Sequence, residues 1–277
     1  MKAAVADYRY RVMCLRVVPI VGPVIRLTNH VRDLTMSNGE TYLTNSGYDF
    51  TGYSASSGLS PSMVDLDGIA GIAGIDRDQL SSGAFDSARA YLFATAWNAP
   101  VEDHEPIVAS ILGKVQLMDD RYKVEEMALI DALNQSVGDT YGPGCPKTFG
   151  GQEFAGCKVD LGPLTVSGDI THMTSSVILR DSARAEAADY FAAGLIRFTT
   201  GANAGLPGKD IKRFEADGTL EIYEPFHYPV EIGDEYEMQP GCRKRLQDCR
   251  DKWNNVDNFG GFSFVPVGSK YQSVGTR

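Results

Sequence analysis

Short apolar runs separated by turn signals fill the first half of the chain, and this pattern predicts β-strands. In residues 88–98 the side chains alternate with a period of two, which indicates a strand with two partly buried faces. Asn38 and Gly39 lie between two apolar runs and supply the positive φ that a tight hairpin turn needs. A second hairpin is predicted around Asp119 and Asp120. Helices are scarce in this half.

The second half continues with strand-like runs, and its clearest helical pattern lies at residues 182–193. That segment is rich in Ala, Ser182 can cap its start, and Gly194 follows directly as a stop signal. Asp217 and Gly218 predict a turn between two further strands. We therefore expect a β-rich second half with one helix.

Length and composition set the domain organisation and the class of protein. At 277 residues the chain is long enough for two domains, and Gly162 and Pro163 indicate a boundary between 1–163 and 164–277. A hydrophobic fraction of 43% and a charged fraction of 22% are typical of a soluble globular protein, and no apolar run is long enough to span a bilayer. The net charge of −10 argues against broad contact with phosphate backbones. We expect the basic run at 243–245 to brace the loop at 241–262 or a neighbouring subunit instead.

Four of the five cysteines form two pairs, Cys145 with Cys157 and Cys242 with Cys249, in loops rich in Gly, Pro, Lys and Asn. Cys14 lies in an apolar run, where a free cysteine behaves as a small hydrophobic residue, and it is left outside the set. Two disulfides, a structural zinc ion or an iron-sulfur cluster would each use four such cysteines. Because the first residues make a poor secretory signal, we expect folding in a reducing cytosol, which disfavours disulfides.

Spacing alone leaves zinc and an iron-sulfur cluster open. Zinc sites usually contain pairs with about two to four residues between the thiolates, and both pairs here are wider. A cubane cluster takes one thiolate per iron corner, which suits widely spread ligands, but ferredoxin spacing is also missing. Either group would tie the middle of the chain to the loop at 241–262.

The remaining chemistry-bearing residues do not indicate a catalytic site. His30, His104 and His227 have charged neighbours, but a hydrogen-bonded structural role is the commoner reason for such residues, and no spacing specifies a metal site. Cys145 with a distant histidine would be a nucleophile and base, yet no local signature supports a cysteine peptidase. The strings GANAG and NFGGF lack the lysine of a phosphate loop and are better explained as tight turns.

Four strings resemble one known family, in the same order along the chain: LTNHVRDLTMSNGETY, ATAWNAP, FAAGLIRFTTGANAG and PGCRKRLQDCRDKWNNVDNFGGF. They are similar to the tail-tip (baseplate) hub protein of siphophages and gene transfer agents, and distantly similar to the minor tail protein L of phage lambda. The resemblance covers nearly the whole chain, and its most specific part is the last string. Family members often have T-D-H-D where this chain has Thr28, Asn29, His30 and Val31.

The resemblance implies a mainly β (α+β) fold. A barrel- or sandwich-like N-terminal hub domain (1–163) is expected to precede a smaller β-rich domain (164–277) with the helix near 182–193, the two joined by a four-cysteine metal cluster. It also implies a structural protein of the virion rather than an enzyme. We expect a homotrimer at the tail tip, assembled in the host cytoplasm, with no stable nucleic-acid binding and no membrane span. Its expected neighbours are the distal tail protein, the central fibre or receptor-binding protein, and the tape measure protein.

The resemblance also implies a cofactor, a 4Fe-4S cluster held by Cys145, Cys157, Cys242 and Cys249, with zinc as the alternative. A metalloenzyme fits the sequence less well. An iron-sulfur dehydratase needs an iron with an open coordination position, hence three protein ligands, and a radical enzyme needs a compact three-cysteine signature. We therefore predict cofactor-binding residues and no catalytic ones.

Overall fold

The computed structural model describes residues 4–44, 48–50, 65–69, 76–119, 121–128, 138 and 141–263. These residues are mainly β-structure, as predicted. The helical elements among them are α1 (Arg77–Ser81), 3₁₀ turns at Tyr8–Tyr10 and Val256–Asn258, and a π-helical turn at Asp248–Lys252. None of these helices has the length and apolar character needed to cross a membrane. The strands are β1 (Arg11–Val18), β2 (Ile25–Thr28), β3 (Leu34–Thr35), β4 (Thr41–Thr44), β5 (Tyr48–Phe50), β6 (Asp65–Ile69), β7 (Arg89–Ala96), β8 (Glu105–Met118), β9 (Arg121–Ala128), β10 (Val166–Asp169), β11 (His172–Ser175), β12 (Ile178–Arg180), β13 (Leu195–Phe198), β14 (Lys209–Phe214), β15 (Thr219–Ile222) and β16 (Glu235–Gln239).

The chain divides into two compact units, Met1–Ser136 and Val137–Arg277. The boundary expected at residue 163 therefore falls inside the second unit. That unit contains both cysteine-bearing segments, because Cys145 N–H donates to Lys244 O (2.8 Å) and ties the first segment to the second. The four cysteines thus lie on two segments of one unit, and their joining by a metal cluster stays a prediction.

The first unit contains a nine-stranded sheet in the order β3-β4-β2-β1-β7-β8-β9-β6-β5. The pairings are antiparallel except that of β2 with β4. Within the described part of the chain they form one open series, so the closure of a barrel is not seen. β7 confirms the strand predicted at 88–98, and it pairs along its length with β1. Cys14, Tyr42 and Phe93 are buried in the core of this unit.

The predicted turns are confirmed by residues with positive φ. Gly39, between β3 and β4, has a φ of 89°, and Gly218, between β14 and β15, has a φ of 83°. Asp119, between β8 and β9, has a φ of 49°, a conformation that Asp adopts more readily than most residues with a β-carbon. Asp120 lies outside the described residues. The turn residues in the sequence therefore predicted the positions of these hairpins.

The second unit contains a seven-stranded sheet in the order β10-β16-β13-β14-β15-β12-β11, with antiparallel pairing throughout its described ladders. Its core is aromatic: Phe191 packs edge-on against Phe214, with ring centroids 4.9 Å apart. Buried Tyr236 donates to Asp181 Oδ2 (2.6 Å), so a buried carboxylate in this core has a hydrogen-bond partner. This sheet is the platform from which the second cysteine pair extends.

The helix predicted at 182–193 is wrong, because the segment folds as a series of turns. Asp181 Oδ1 accepts from Ala183 N–H (2.8 Å), which begins the segment with a side-chain turn rather than a helical cap. Further on, Asp189 N–H donates to Phe214 O (2.7 Å) and Ala193 N–H donates to a carbonyl of β14. Donors that a helix would use within itself are thus taken by a neighbouring strand, and tertiary contacts override the Ala-rich propensity.

Candidate metal centre

The four predicted cysteines, Cys145, Cys157, Cys242 and Cys249, line one cavity in the second unit. All four are free thiols, and none is exposed. We call this the four-cysteine cavity. Cys14 is buried in β1 in the first unit and is not part of it. The structure therefore brings together the set that the sequence singled out and leaves out the residue that the sequence set aside.

Backbone packing places the second cysteine pair. Cys242 follows β16 after Gly241, where an added β-carbon would lie 1.8 Å from the carbonyl carbon and oxygen of Ala193. Only glycine can allow this approach, which brings the chain from the sheet into the cavity. Cys249 lies in the π-helical turn Asp248–Lys252, and its N–H donates to Arg245 O (3.1 Å). π-Helical turns are rare and are frequently found at functional sites.

Three of the four sulfurs accept hydrogen bonds. Gly260 N–H donates to Cys145 Sγ (3.4 Å), and Lys244 N–H donates to Cys242 Sγ (3.4 Å). The side-chain amide of Asn255 lies 3.6 Å from Cys157 Sγ. N–H donors of this kind orient sulfur ligands and are typical of the surroundings of a bound metal group.

The fourth sulfur is different, because the thiol of Cys249 donates to Asn255 O (3.1 Å). Burial raises the pKa of Cys249, and the nearby Cys242, Cys157 and Cys145 raise it further. Burial also raises the pKa of Cys242. A metal group that binds these cysteines as thiolates must therefore displace their protons, so the affinity of the site for the metal group should rise with pH.

Basic side chains line the cavity, and two of them hold its loops together. Lys147 Nζ donates to Asn258 O (2.6 Å) and Gly156 O (3.5 Å), and Lys244 Nζ donates to Lys147 O. Among the described residues that line the cavity there is no carboxylate, while Arg245 adds a third positive group. The positive side chains offset the negative charge that several thiolates would bring together.

An aromatic contact packs the two cysteine-bearing segments against each other. Phe149 and Trp253 lie with ring centroids 4.9 Å apart, and both line the cavity. Lys252, next to Trp253, extends its ammonium group over that ring (4.7 Å) and donates to Tyr190 O (2.5 Å). This packing surrounds the sulfurs with apolar surface, which limits the access of water.

The donor set fits a group held by thiolates: four free cysteines on one cavity, N–H donors to three sulfurs, and cationic side chains around them. In the part of the chain that the structure describes, no group of three or more His, Cys, Asp or Glu residues has the arrangement of a bound metal ion. The cavity and its donors are thus defined, and the identity of the bound group stays a prediction.

Sequence reasoning missed two residues that donate to the sulfurs, Asn255 and Gly260. Both lie in the string NNVDNFGGF, whose last five residues, NFGGF, were interpreted as a tight turn. The turn is real, since Phe259 N–H donates to Val256 O (2.9 Å), but it also aims an amide and a backbone N–H at two sulfurs.

None of the candidate histidines lines the four-cysteine cavity. His30 stacks on Trp97 (5.7 Å) and its Nδ1 lies within hydrogen-bond distance of the Arg32 backbone, and His227 packs edge-on against Tyr228. His104 Nδ1 is buried without a hydrogen-bond partner. Among the described residues, no pairing of Cys145 with a histidine base is seen.

Comparisons with known proteins give matches to phage and phage-like proteins. Residues 4–160 match a family described as baseplate hub protein, N-terminal attachment domain. Residues 189–268 match a family described as phage conserved hypothetical protein BR0599. A solved structure titled virion of native gene transfer agent particle contains a similar chain, with 26% identity and a TM-score of 0.77 over 94% of this chain and 88% of that one. No curated protein gives a significant match.

Proposed function

The chain belongs to the family of baseplate hub proteins, and from this membership we propose how it acts in the particle. It is a structural protein of the tail tip of a phage or gene transfer agent virion. The proposal is that it forms a homotrimeric ring. This ring links the distal tail protein to the central fibre or receptor-binding protein, with the tape measure protein as a further neighbour. Rings of identical subunits are built from repeated head-to-tail contacts, which suits a component on the tail axis.

The second part of the proposal is that the four-cysteine cavity holds a 4Fe-4S cluster, with zinc as the alternative. The observation that carries it is the meeting of Cys145, Cys157, Cys242 and Cys249 on one cavity with N–H donors to three of the sulfurs. Such a group supplies folding free energy when it binds thiolates. The role is therefore to hold the segments 142–160 and 241–262 together. We do not propose an enzymatic activity.

Metal analysis of the full chain, purified without oxygen, tests the cofactor. We expect about four iron atoms and a similar amount of acid-labile sulfide per chain, with a visible absorption band. Cys→Ser at each of the four cavity cysteines should abolish the colour, whereas Cys14→Ser should retain it, because Cys14 is buried in the other unit. Zinc without iron would establish the alternative, and a chain free of both metals would overturn the proposal.

Limited proteolysis tests the structural role. Removal of the metal should expose the segments 142–160 and 241–262 to cleavage before the strands of the first unit, because their contacts depend on the loops around the sulfurs. Cys14→Ser protein treated in the same way is the matched control. Equal protection with and without metal would show that the bound group does not hold these segments.

The ring is tested on whole particles. We expect threefold symmetry in the layer that contains this protein, with one copy per repeat. A different symmetry in that layer would contradict the homotrimer.

The tail-associated cysteine peptidase is the other function class, and its test is hydrolysis of peptide substrates by the purified chain. Turnover that is lost in Cys145→Ser would favour it.

A further inference from the structure

Asn255 contacts one cysteine from each pair. Its side-chain amide Nδ2 donates to Cys157 O (2.6 Å) and lies 3.6 Å from Cys157 Sγ. Its backbone N–H donates to Cys249 O (2.9 Å), and its backbone carbonyl accepts from the Cys249 thiol (3.1 Å). The two cysteines are far apart in sequence and lie in the segments 142–160 and 241–262, which we call the two walls of the four-cysteine cavity. Asn255 therefore connects the two walls.

The orientation of the Asn255 amide is determined from both ends. Asn258 Nδ2 donates to Asn255 Oδ1 (2.7 Å), which identifies the oxygen. At the other end Cys157 O can only accept, so the group that faces it must be the NH₂. Asn258 is itself held, since its N–H donates to Asn255 O (3.1 Å) and its carbonyl accepts from Lys147. The amide therefore presents hydrogen atoms to Cys157 and cannot turn without losing both bonds.

We infer that Asn255 is a positioning residue of the four-cysteine cavity: it fixes Cys157 relative to Cys249 and stabilises negative charge on Cys157 Sγ. This inference rests on the proposed function, because the charge in question is that of a metal-bound thiolate. Outer-shell donors of this kind orient ligands and tune the metal group, and hydrogen bonds to sulfur are among the factors that set cluster potentials. A donor to sulfur favours the reduced, more negative state and so raises the reduction potential.

Two neighbouring asparagines offer a matched pair of variants. Asn255→Asp replaces the NH₂ with a carboxylate oxygen, so it removes the bonds to Cys157 and places negative charge beside the sulfur, while the oxygen that accepts from Asn258 is retained. Asn254→Asp adds the same charge one position earlier on an exposed side chain. Asn254 has a φ of 45°, a conformation that both Asn and Asp adopt readily. The two variants therefore add the same charge, but only Asn255→Asp places it beside the sulfur and loses the hydrogen bonds to Cys157.

In the full chain loaded with iron, Asn255→Asp should retain the metal less well than the wild type. Loss of an outer-shell partner typically costs about 10–100-fold in metal affinity, and we expect a corresponding rise in the rate of iron loss to a chelator. The midpoint potential of the iron that remains should be lower than that of the wild type. Asn254→Asp should match the wild type in both measurements. Identical retention and potential in the two variants would overturn the inference.

A second variant covers the case in which Asn255→Asp does not fold. Asn258→Ala leaves the Cys157 contacts possible but frees the amide to turn, so it should shift the potential in the same direction by a smaller amount. No shift in Asn258→Ala would also count against the inference. If the wild type takes up zinc instead of iron, zinc retention against a chelator replaces the iron measurement, with the same order expected.

Metal-free protein separates this inference from the proposed cofactor. Without metal, proteolytic cleavage in the segments 142–160 and 241–262 should be faster in Asn255→Asp than in Asn254→Asp, because the first variant loses the hydrogen bond from Asn255 to Cys157 O that joins the two segments. If the wild type binds no metal while this difference is found, the cofactor proposal fails and the positioning role of Asn255 stands. Equal cleavage of the two variants in metal-free protein would overturn the positioning role independently of the metal.

Discussion

Single residues control how closely the segments around the cysteines approach each other. Gly241 packs its backbone against Ala193 and Gly194, and this contact leaves no room for a side chain. Gly142, in the other cysteine-bearing segment, has no neighbour within 4 Å of the place where a β-carbon would lie. The same residue type is thus required at one position and replaceable at the other.

Gly241→Ala should destabilise the second unit strongly, by about 3 kcal/mol or more, because the new methyl group would overlap backbone atoms that cannot move aside. Gly142→Ala should change the free energy of unfolding by less than about 0.5 kcal/mol, as for an ordinary surface substitution. Urea unfolding curves of both variants measure the difference. Similar midpoints would mean that the contact at Ala193 is relaxed in solution.

Glu102 in the first unit predicts a pH dependence of stability. Burial opposes ionisation of this carboxylate, but hydrogen bonds from Tyr42 (2.5 Å) and Asn38 (2.7 Å) and the ion pair with Arg16 (3.1 Å) outweigh it, and the pKa of Glu102 is lowered. Because the pKa is lower in the folded chain, ionised Glu102 stabilises the fold fully at pH values above its pKa in the unfolded chain, about 4.3. This stabilisation is lost as the pH falls through the pKa in the folded chain.

Glu102→Gln should therefore flatten the loss of stability below about pH 4.3. Unfolding free energies measured from neutral to acidic pH test this, with Glu40→Gln as the control. Glu40 pairs with Arg26 in the same unit, but its side chain is 47% exposed, so the pair contributes little. An acid slope in Glu102→Gln as steep as in the wild type would exclude Glu102 as its source.

At the scale of elements, the π-helical turn Asp248–Lys252 depends on a lysine that faces inward. Lys252 donates to Tyr190 O (2.5 Å) and Gly241 O (3.2 Å), and burial lowers its pKa. Arg250, in the same turn, is exposed and pairs only with its neighbour Asp251 among the described residues. Lys252 thus binds the turn to the rest of the second unit, whereas Arg250 does not.

Lys252→Met should cost about 1.5–3 kcal/mol, because it keeps the apolar stem over Trp253 but leaves two carbonyls without their charged donor. Arg250→Met, the control in the same element, should be nearly neutral. Thermal unfolding of the two variants gives the comparison. Equal stability would mean that water replaces the ammonium group at both carbonyls.

The elements also show where sequence reasoning succeeds. β7 followed from its period of two and the hairpin at Gly39 from its turn residues, because both features depend on local geometry. Residue type and loop context singled out the four cysteines that line one cavity, while their role as ligands stays a prediction. The turns at 182–193 could not be predicted, since their N–H groups are taken by a strand that is distant in sequence. Asn255 was missed for a similar reason: its partner Cys157 becomes a neighbour only after folding.

At the scale of the whole molecule, charge governs contact with the genome that a virion carries. The chain has 26 basic and 36 acidic residues, and its one run of basic residues is occupied within the second unit. Arg243 pairs with Asp189 (2.8 Å), Lys244 donates to Lys147 O, and Arg245 pairs with Asp248. The contacts of Lys244 and Arg245 agree with the expectation that the run braces the cysteine-bearing loops, and a contact with a neighbouring subunit stays a prediction.

Purified protein should therefore show no measurable binding to duplex DNA at moderate salt, because binding requires clustered basic groups that release counterions. Fluorescence anisotropy of a labelled duplex over a range of salt concentrations tests this, with a basic DNA-binding protein as the positive control. Micromolar affinity for the duplex that weakens steeply with salt would show that the protein binds nucleic acid and would contradict this prediction.

The two walls of the four-cysteine cavity are synthesised at different times. Strands β10 to β16 lie between them in the chain, so at roughly 5–20 residues per second the second wall leaves the ribosome several seconds after the first. During that interval Cys145 and Cys157 have neither Lys244 nor Gly260 beside them. The complete set of four thiols and their donors is therefore available only after the sheet has been translated.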